Sequence, residues 1–215
     1  MYYQNSATNF AASSYKWFKE NFFTEVEENL SDHEDIYSYI NKQIEAIKVG
    51  AEGLLFHPYL NGERSPHWDP YLKGSFFGIT ARHERAHFAR AVLEGVGYSL
   101  REAAEEFKSI PESPIKIIGG GAKDKTWPQI MANILNRTLE IPETSDSSFG
   151  TCLIAATSIG WYSDLKTAVK QTQKLKFKVY PQEKNVQTYN KLYSIYKDFY
   201  KQTKLLSHQL TDIAN

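Results

Sequence analysis

Three consecutive glycines interrupt a chain of otherwise regular apolar periodicity. Gly119-Gly120-Gly121-Ala122 stands between Ile115-Lys116-Ile117-Ile118, a run of strand character, and an amphipathic stretch from about Lys125 to Leu135 that reads as a helix. Glycines at that junction let the backbone turn sharply and come close to a ligand, because no Cβ stands in the way. The helix that follows presents unpaired N–H groups and a partial positive charge, which suits an anion or a nucleotide, and Lys123 and Lys125 add charge. Asp124 is the expected N-cap. The spacing is neither a P-loop nor a dinucleotide fingerprint. A glycine turn of this kind also serves as a plain connection between strand and helix, so on its own it leaves both readings open.

The rest of the chain alternates in the same way. Tyr15, Trp17, Phe18 and Phe22 predict a helix over 13–22, and Ile36, Ile40, Ile44 and Ile47 predict a second one ended by Gly50 and Gly53. Between them lies a polar, acidic stretch, Glu25 to Asp35. Gly53 to Phe56 and Ser75 to Ile79 are strand candidates on either side of a polar, Pro-containing loop, Asn61 to Lys73. The clearest helix runs from about Arg85 to Phe107 and carries Phe88, Val92, Val96, Leu100, Ala103 and Phe107 on one face. Gly95 and Gly97 within it point to close packing against a neighbour, because glycine otherwise costs a helix roughly 1 kcal/mol. Leu139 to Ile141 predicts a strand, Gly150 to Ile159 a small-residue helix, Leu165 to Gln173 a helix and Phe177 to Tyr180 a strand. Pro181 opens a long last helix with Val186, Tyr189, Tyr193, Tyr196 and Tyr200 as its stripe, a core or interface surface. Strands alternating with helices predict an α/β domain, with a doubly wound or a mixed sheet both open on pattern alone.

Composition closes off several function classes. The 215 residues carry 25 basic and 25 acidic side chains, so there is no excess positive charge to hold a phosphodiester backbone, and no nucleic-acid partner is expected. The lysines at 166, 170, 174, 176 and 178 read as the solvated face of a helix and then a strand. The one cysteine, Cys152, excludes an internal disulfide framework and a cysteine-rich zinc site; its apolar surroundings predict a small buried hydrophobe. No His, Cys and Asp cluster has metal-ligand spacing, so no metal ligands are assigned. No apolar run approaches the ~20 residues of a membrane span, and Met1 to Asn5 lacks the pattern of a signal peptide. The expectation is a cytoplasmic protein with no membrane contact.

A second motif is far more specific. Gly74-Ser75-Phe76-Phe77-Gly78-Ile79 is followed, after seven residues, by His87-Phe88-Ala89-Arg90-Ala91-Val92-Leu93-Glu94. This pattern resembles the C-terminal signature of the FGGY carbohydrate kinases. The glycine loop with Lys123, Trp127, Gln129 and Met131 resembles that family's adenosine loop, and the three motifs fall in the family's order over nearly the whole chain. Gly62-Glu63-Arg64-Ser65-Pro66-His67 and the helix after Pro181 resemble the family's xylulokinase branch.

The resemblance implies a ribonuclease H-like fold of the actin and hexokinase type. It implies a C-terminal nucleotide-binding domain spanning 1–215 and incomplete at its N-terminus, with the sugar-binding domain and the catalytic Asp in a part not contained here. No catalytic residue is therefore assigned within the chain. Carried over by position, Gly121 and Ala122 would line adenosine with Gly120 supporting the same turn, Lys125 would lie near the adenine ring, and Arg82 would lie near the phosphates. Glu63, Arg64 and His67 are candidates for the sugar-side cleft, or else for an internal ion pair that shapes their loop. The implied partners are ATP or ADP, with Mg²⁺ arriving on the nucleotide, and a sugar held through the N-terminal domain. D-xylulose is the expected sugar, with gluconate, L-ribulose and glycerol as alternatives. A non-catalytic module of the same fold is the rival reading, and the fragment alone is expected to be inactive. A homodimer through the aromatic-rich last helix is also admitted. Ser148-Phe149-Gly150-Thr151-Cys152 departs from the family's Gly-Ala-Ala pattern at that helix. On physical grounds His87 reads as a structural histidine, Glu94 as a buried carboxylate bonded to a neighbouring loop, and Trp127 as packing beneath the glycine turn.

Overall fold

The computed structural model of the chain describes residues 4–31, 33–108, 112–144 and 146–214, with Ser147 described by its backbone alone. Helices α1 (Ala12–Phe22), α2 (Thr24–Glu28) and α3 (Ile36–Ala46) come first. A hairpin follows, made of β1 (Leu55–His57) and β2 (Ser75–Phe77), and then the long helix α4 (Arg85–Glu105). The second half holds β3 (Ile115–Lys116), α5 (Thr126–Leu135), β4 (Leu139–Pro142), α6 (Ser147–Ser158), α7 (Leu165–Thr172), β5 (Leu175–Val179) and α8 (Glu183–Ala214).

Each predicted helix forms where its apolar stripe meets a partner. In α3 the Asp35 carboxylate caps the first turn by accepting the Ser38 N–H at 2.9 Å, and Ile36, Ile40 and Ile44 are buried. At the start of α4, Glu84 and His87 form a reciprocal capping box. Helix α4 lies directly on β1: a Cβ at Gly95 would sit 2.2 Å from the Phe56 carbonyl oxygen, so only glycine permits this approach. The main core gathers Phe18, Ile40, Ile44, Phe56, Leu93 and Tyr98 from α1, α3, β1 and α4, with Leu54 just before β1. Burial of this apolar surface is the main stabilising term.

The described residues form two sheets. β1 and β2 pair antiparallel in the register Leu55↔Phe77, Phe56↔Phe76, His57↔Ser75. The other sheet has the order β3-β4-β5, with β3 parallel and β5 antiparallel to β4, so the sheet is mixed. Parallel β3 and β4 need a crossover connection, and α5 supplies it. This βαβ unit sets the glycine turn at the carboxyl end of a parallel strand and just before a helix N-terminus, where open α/β sheets hold ligands.

Helix α8 straps the two halves together. Val186, Tyr189, Tyr193 and Tyr196 are buried, so this part of the stripe is core, the first of the two readings open from the sequence. Tyr200 lies beyond them on the same stripe and stacks on His67. The Tyr196 carbonyl accepts a hydrogen bond from His57 Nε2 at 3.0 Å. Near the end of the helix His208 Nε2 meets Asp69 Oδ2 at 2.7 Å, and Thr211 Oγ1 donates to the Tyr71 carbonyl at 3.1 Å.

Three local expectations are corrected. Helix α6 begins three residues before Gly150, because Asp146 caps it by accepting the Ser148 and Phe149 N–H groups. Cys152 is exposed and not buried. The helix packs on α7 and buries Leu153, and Cys152, one residue away, is turned about 100° from that face. Asp124 does cap α5, accepting the Thr126 N–H at 2.8 Å, but from the position before the N-cap Lys125. Among the described residues no helix is long and apolar enough to cross a membrane.

Candidate functional site

The glycines after β3 form a 3-10 turn, Gly120–Ala122, entered through Gly119 at φ 101° and closed by the Ala122 N–H donating to the Gly119 carbonyl at 3.1 Å. Gly121 lies flat against Trp127: a Cβ there would stand 2.1 Å from two atoms of the indole ring. Trp127 therefore packs beneath the turn, as the sequence predicts, and any side chain at position 121 would have to displace its ring.

Two cavities flank the turn and share Ala12, Gly120, Gly121 and Trp127. One, of about 580 Å³, is apolar, with Leu100, Ala104, Phe107, Ile117, Met131 and Leu135 in its wall. The other, of about 540 Å³, has a mixed lining and is the more polar of the two. Its far wall comes from α1 and α3, through Lys16, Tyr37, Ser38 and Asn41, and its near wall from Lys123 and Asp124. The polar cavity thus combines glycine backbone, two lysines, the carboxylates of Asp35 and Asp124, amide and hydroxyl groups, and an aromatic face. That set offers donors and acceptors for a ligand with a ring and hydroxyls.

A line of hydrogen bonds crosses this cavity. The buried Tyr15 OH donates to Asn41 Oδ1 at 2.9 Å, and Asn41 Nδ2 donates to Asp124 Oδ2. Burial, and then the Asp124 charge, push the Tyr15 phenol well above its ordinary range, so it stays a donor. Thr126 Oγ1 in turn donates to Glu45 Oε1 at 2.8 Å, one turn further along α3.

The structure gathers Gly120, Gly121 and Ala122 at the turn but places the other candidates elsewhere. Lys125 directs its Nζ over the Phe177 ring at 5.7 Å and lines a separate polar cavity of about 290 Å³ with Arg90, Gln129 and Asn133. Lys123, and not Lys125, faces the turn's polar cavity. Arg82 is 64% exposed and pairs with Glu52, donating to its carbonyl at 3.1 Å and lying 3.5 Å from its carboxylate; it lines none of the three cavities.

Glu63, Arg64 and His67 diverge. Glu63 is buried, and its carboxylate accepts the Asn9 N–H at 2.8 Å, the Arg64 N–H at 2.7 Å and the Ser99 hydroxyl at 3.2 Å. Burial raises its pKa, and these donors pull the other way. The Arg64 guanidinium points outward over Trp68 at 5.7 Å, so the loop is shaped by carboxylate-to-backbone bonds and not by a Glu63–Arg64 ion pair. His67 stacks on Tyr200 at 3.7 Å and meets Glu102 at 3.2 Å. His87 Nδ1 accepts the Glu84 N–H at 3.1 Å, a structural role. Glu94 takes the Gly50 N–H at 3.0 Å, the neighbouring-loop bond expected of it, and also Arg90 and Tyr189. Among the described residues no group of three or more His, Cys, Asp or Glu side chains converges to hold a metal ion.

The wall supplied by α1 and α3 was not among the sequence candidates. Part of it was readable: Asp35 followed three residues later by Ser38 marks a helix start, but nothing local says that this helix end faces the glycines.

Residues 1–159 match the FGGY family of carbohydrate kinases, C-terminal domain. A xylulose kinase of Staphylococcus epidermidis is 37% identical over 222 residues, taking in 100% of this chain and 42% of that protein. A gluconokinase of Bacillus licheniformis is 35% identical over 208 residues, 93% of this chain and 39% of that protein. Among solved structures, the ligand-bound xylulose kinase of Lactobacillus acidophilus superposes with a TM-score of 0.80 at 26% identity, covering 93% of this chain and 39% of that one. The chain therefore spans about two-fifths of the length of the curated relatives it matches.

Proposed function

This chain belongs to the FGGY family of carbohydrate kinases as its C-terminal domain, with the actin and hexokinase type of fold, and from that premise we propose that it is the ATP-binding part of a sugar kinase. Gly120, Gly121 and Ala122 form the nucleotide cradle, and the nucleoside enters the polar cavity between the glycine turn and the α1–α3 wall. The observation that carries this reading is the glycine turn itself. Gly120, Gly121 and Lys123 line a cavity whose opposite wall carries Lys16, and the Trp127 ring fills the space beside Gly121. Lys123 takes the place expected for Lys125. Arg82 and Lys125 are left out of the proposal because their side chains are directed to Glu52 and Phe177.

The reaction is transfer of the γ-phosphoryl group of ATP to a sugar hydroxyl. Catalysis of such a transfer is positioning and charge neutralisation, with Mg²⁺ on the phosphate oxygens of the nucleotide. We assign the carboxylate base that takes the hydroxyl proton to the part of the relatives that this chain does not span. D-xylulose is the proposed sugar, supported by the Gly62–His67 stretch and by the xylulose kinase relatives. Gluconate is the second reading, supported by a gluconokinase relative of almost the same identity. A cytoplasmic site of action joins the proposal because the phosphoryl donor is found inside cells.

The test is calorimetric titration of the chain with MgADP. Saturable binding that Gly121→Val abolishes supports the reading, and no heat at millimolar MgADP rejects a complete nucleotide pocket in this chain. The sugar is tested by combining the chain with the preceding part of the Staphylococcus epidermidis enzyme and measuring ADP release with D-xylulose, gluconate and glycerol. Activity on gluconate alone would replace xylulose.

A further inference from the structure

The polar cavity is only as wide as the gap between α3 and the glycine turn, and one side chain spans that gap. Asn41 is 8% exposed and has a separate partner for each end of its amide. Its Oδ1 accepts from the buried Tyr15 OH of α1, and its Nδ2 donates to Asp124, two residues past the glycine turn. The other Asp124 oxygen holds the first N–H of α5 at 2.8 Å. One amide therefore joins α1, α3, the turn and the start of α5. Asparagine fits because the position needs an acceptor for a phenol and a donor for a carboxylate at once. Aspartate would set two carboxylates against each other, and leucine would strand a buried hydroxyl.

We propose that Asn41 is a positioning residue for the nucleotide: through Asp124 it fixes the separation of the glycine turn from the α1–α3 wall, and so the width of the slot for the nucleoside. The proposal rests on the nucleotide reading given above. Asn41 acts on the turn and not on the ligand, so what matters is the Asn41–Asp124 link and not which of the two positions carries the charge. Exchanging the two side chains preserves the link. A carboxylate at position 41 accepts from Tyr15 and from an amide at position 124, and the oxygen of that amide still accepts the Thr126 N–H.

The experiment is MgADP titration of the unsubstituted chain, of Asn41→Asp and of the double variant Asn41→Asp/Asp124→Asn, at a temperature where thermal melts show all three folded. Asn41→Asp weakens binding about tenfold, the worth of one charge-assisted hydrogen bond, and the double variant recovers to within roughly threefold of the original. If Asn41→Asp does not fold, Asp124→Ala breaks the link from its exposed end and is expected to weaken binding to the same degree. Equal affinity of Asn41→Asp and the unsubstituted chain, with only the melting temperature lowered, makes Asn41 merely structural and overturns the proposal. Failure of the double variant to recover overturns it as well, because Asp124 would then act by touching the ligand. Absence of binding by the unsubstituted chain overturns the nucleotide reading, and this proposal with it.

Discussion

Gly121 and Trp127 are in such close contact that the ring defines what residue 121 can be: a Cβ would lie 2.1 Å from ring atoms Cε3 and Cζ3. Gly121→Ala must push the indole away from the turn, an overpacking change that costs about 1–3 kcal/mol. Trp127→Leu in the same chain makes room, so the two substitutions together destabilise less than the sum of their separate effects. Urea denaturation of the two single variants and the double variant measures the coupling.

Arg90, Glu94 and Tyr189 form a buried polar knot on one side of α4. Glu94 Oε1 receives Arg90 Nε at 2.7 Å and the Tyr189 OH at 2.8 Å, while Arg90 Nη1 donates to the Ile44 and Ile47 carbonyls at 3.1 and 2.8 Å. Glu94→Gln leaves the guanidinium without its counter-charge and is expected to cost about 3–5 kcal/mol, against about 2 kcal/mol for Tyr189→Phe, which removes a hydroxyl bonded to both Glu94 and Arg90 but leaves the charge pair in place. Chemical denaturation gives both values, and equal costs would show that the charge pair is not the dominant interaction.

His57 makes stability fall toward acid pH. Burial holds its pKa down at about 4, against 6.5 in the unfolded chain, and the bond to the Tyr196 carbonyl only partly opposes this. The folded state thus keeps His57 neutral where the unfolded state takes up a proton. The stability it contributes is complete above about pH 6.5 and is lost as pH falls toward 4, by about 3 kcal/mol in total. The difference in unfolding free energy between the wild-type chain and His57→Gln, followed from pH 7 to pH 4, isolates this slope from the carboxylates. A difference that does not change with pH would mean that His57 titrates alike in both states.

The end of α8 is held at Asp69. His208 contacts that carboxylate at 2.7 Å, Lys204 lies 3.7 Å away, and Thr211 bonds the Tyr71 carbonyl. Asp69→Ala is expected to release the last turns of α8 while the Tyr189–Tyr196 segment stays packed. Hydrogen exchange checks this: amides from 204 to 214 should exchange about tenfold faster or more, and those from 186 to 197 should not change.

Most of the architecture was legible because it is periodic. The stripes of α1, α3, α4 and α8, and the glycines at 95 and 121, each state a burial or a close approach in local terms. Mixed against doubly wound was not legible, because the direction in which β5 joins β4 depends on how α6 and α7 return the chain and not on Leu175 to Val179 themselves. Cys152 misled for a related reason. Its neighbours are apolar, but exposure depends on a 100° rotation relative to Leu153. At the site, Gly120, Gly121 and Ala122 were readable from the turn they must make. Asn41 was not, because its importance comes from Asp124, which lies 83 positions away in the sequence. Lys125 and Arg82 were placed by resemblance of position, and a nearby Phe177 ring or Glu52 is enough to direct a long, flexible side chain elsewhere.

Helix α8 also imposes an order on synthesis. The buried Glu94, Arg90, His57 and Asp69 all find partners among residues 189 to 208, which leave a ribosome after everything they bond to. Until those residues emerge, a nascent chain holding α4 and the β1–β2 hairpin has polar groups with incomplete partners and an uncovered apolar face. It cannot lock into its final packing one element at a time. The fold is completed from its last helix inward, and a ribosome-bound intermediate stopped before residue 189 is the species that would most need a chaperone.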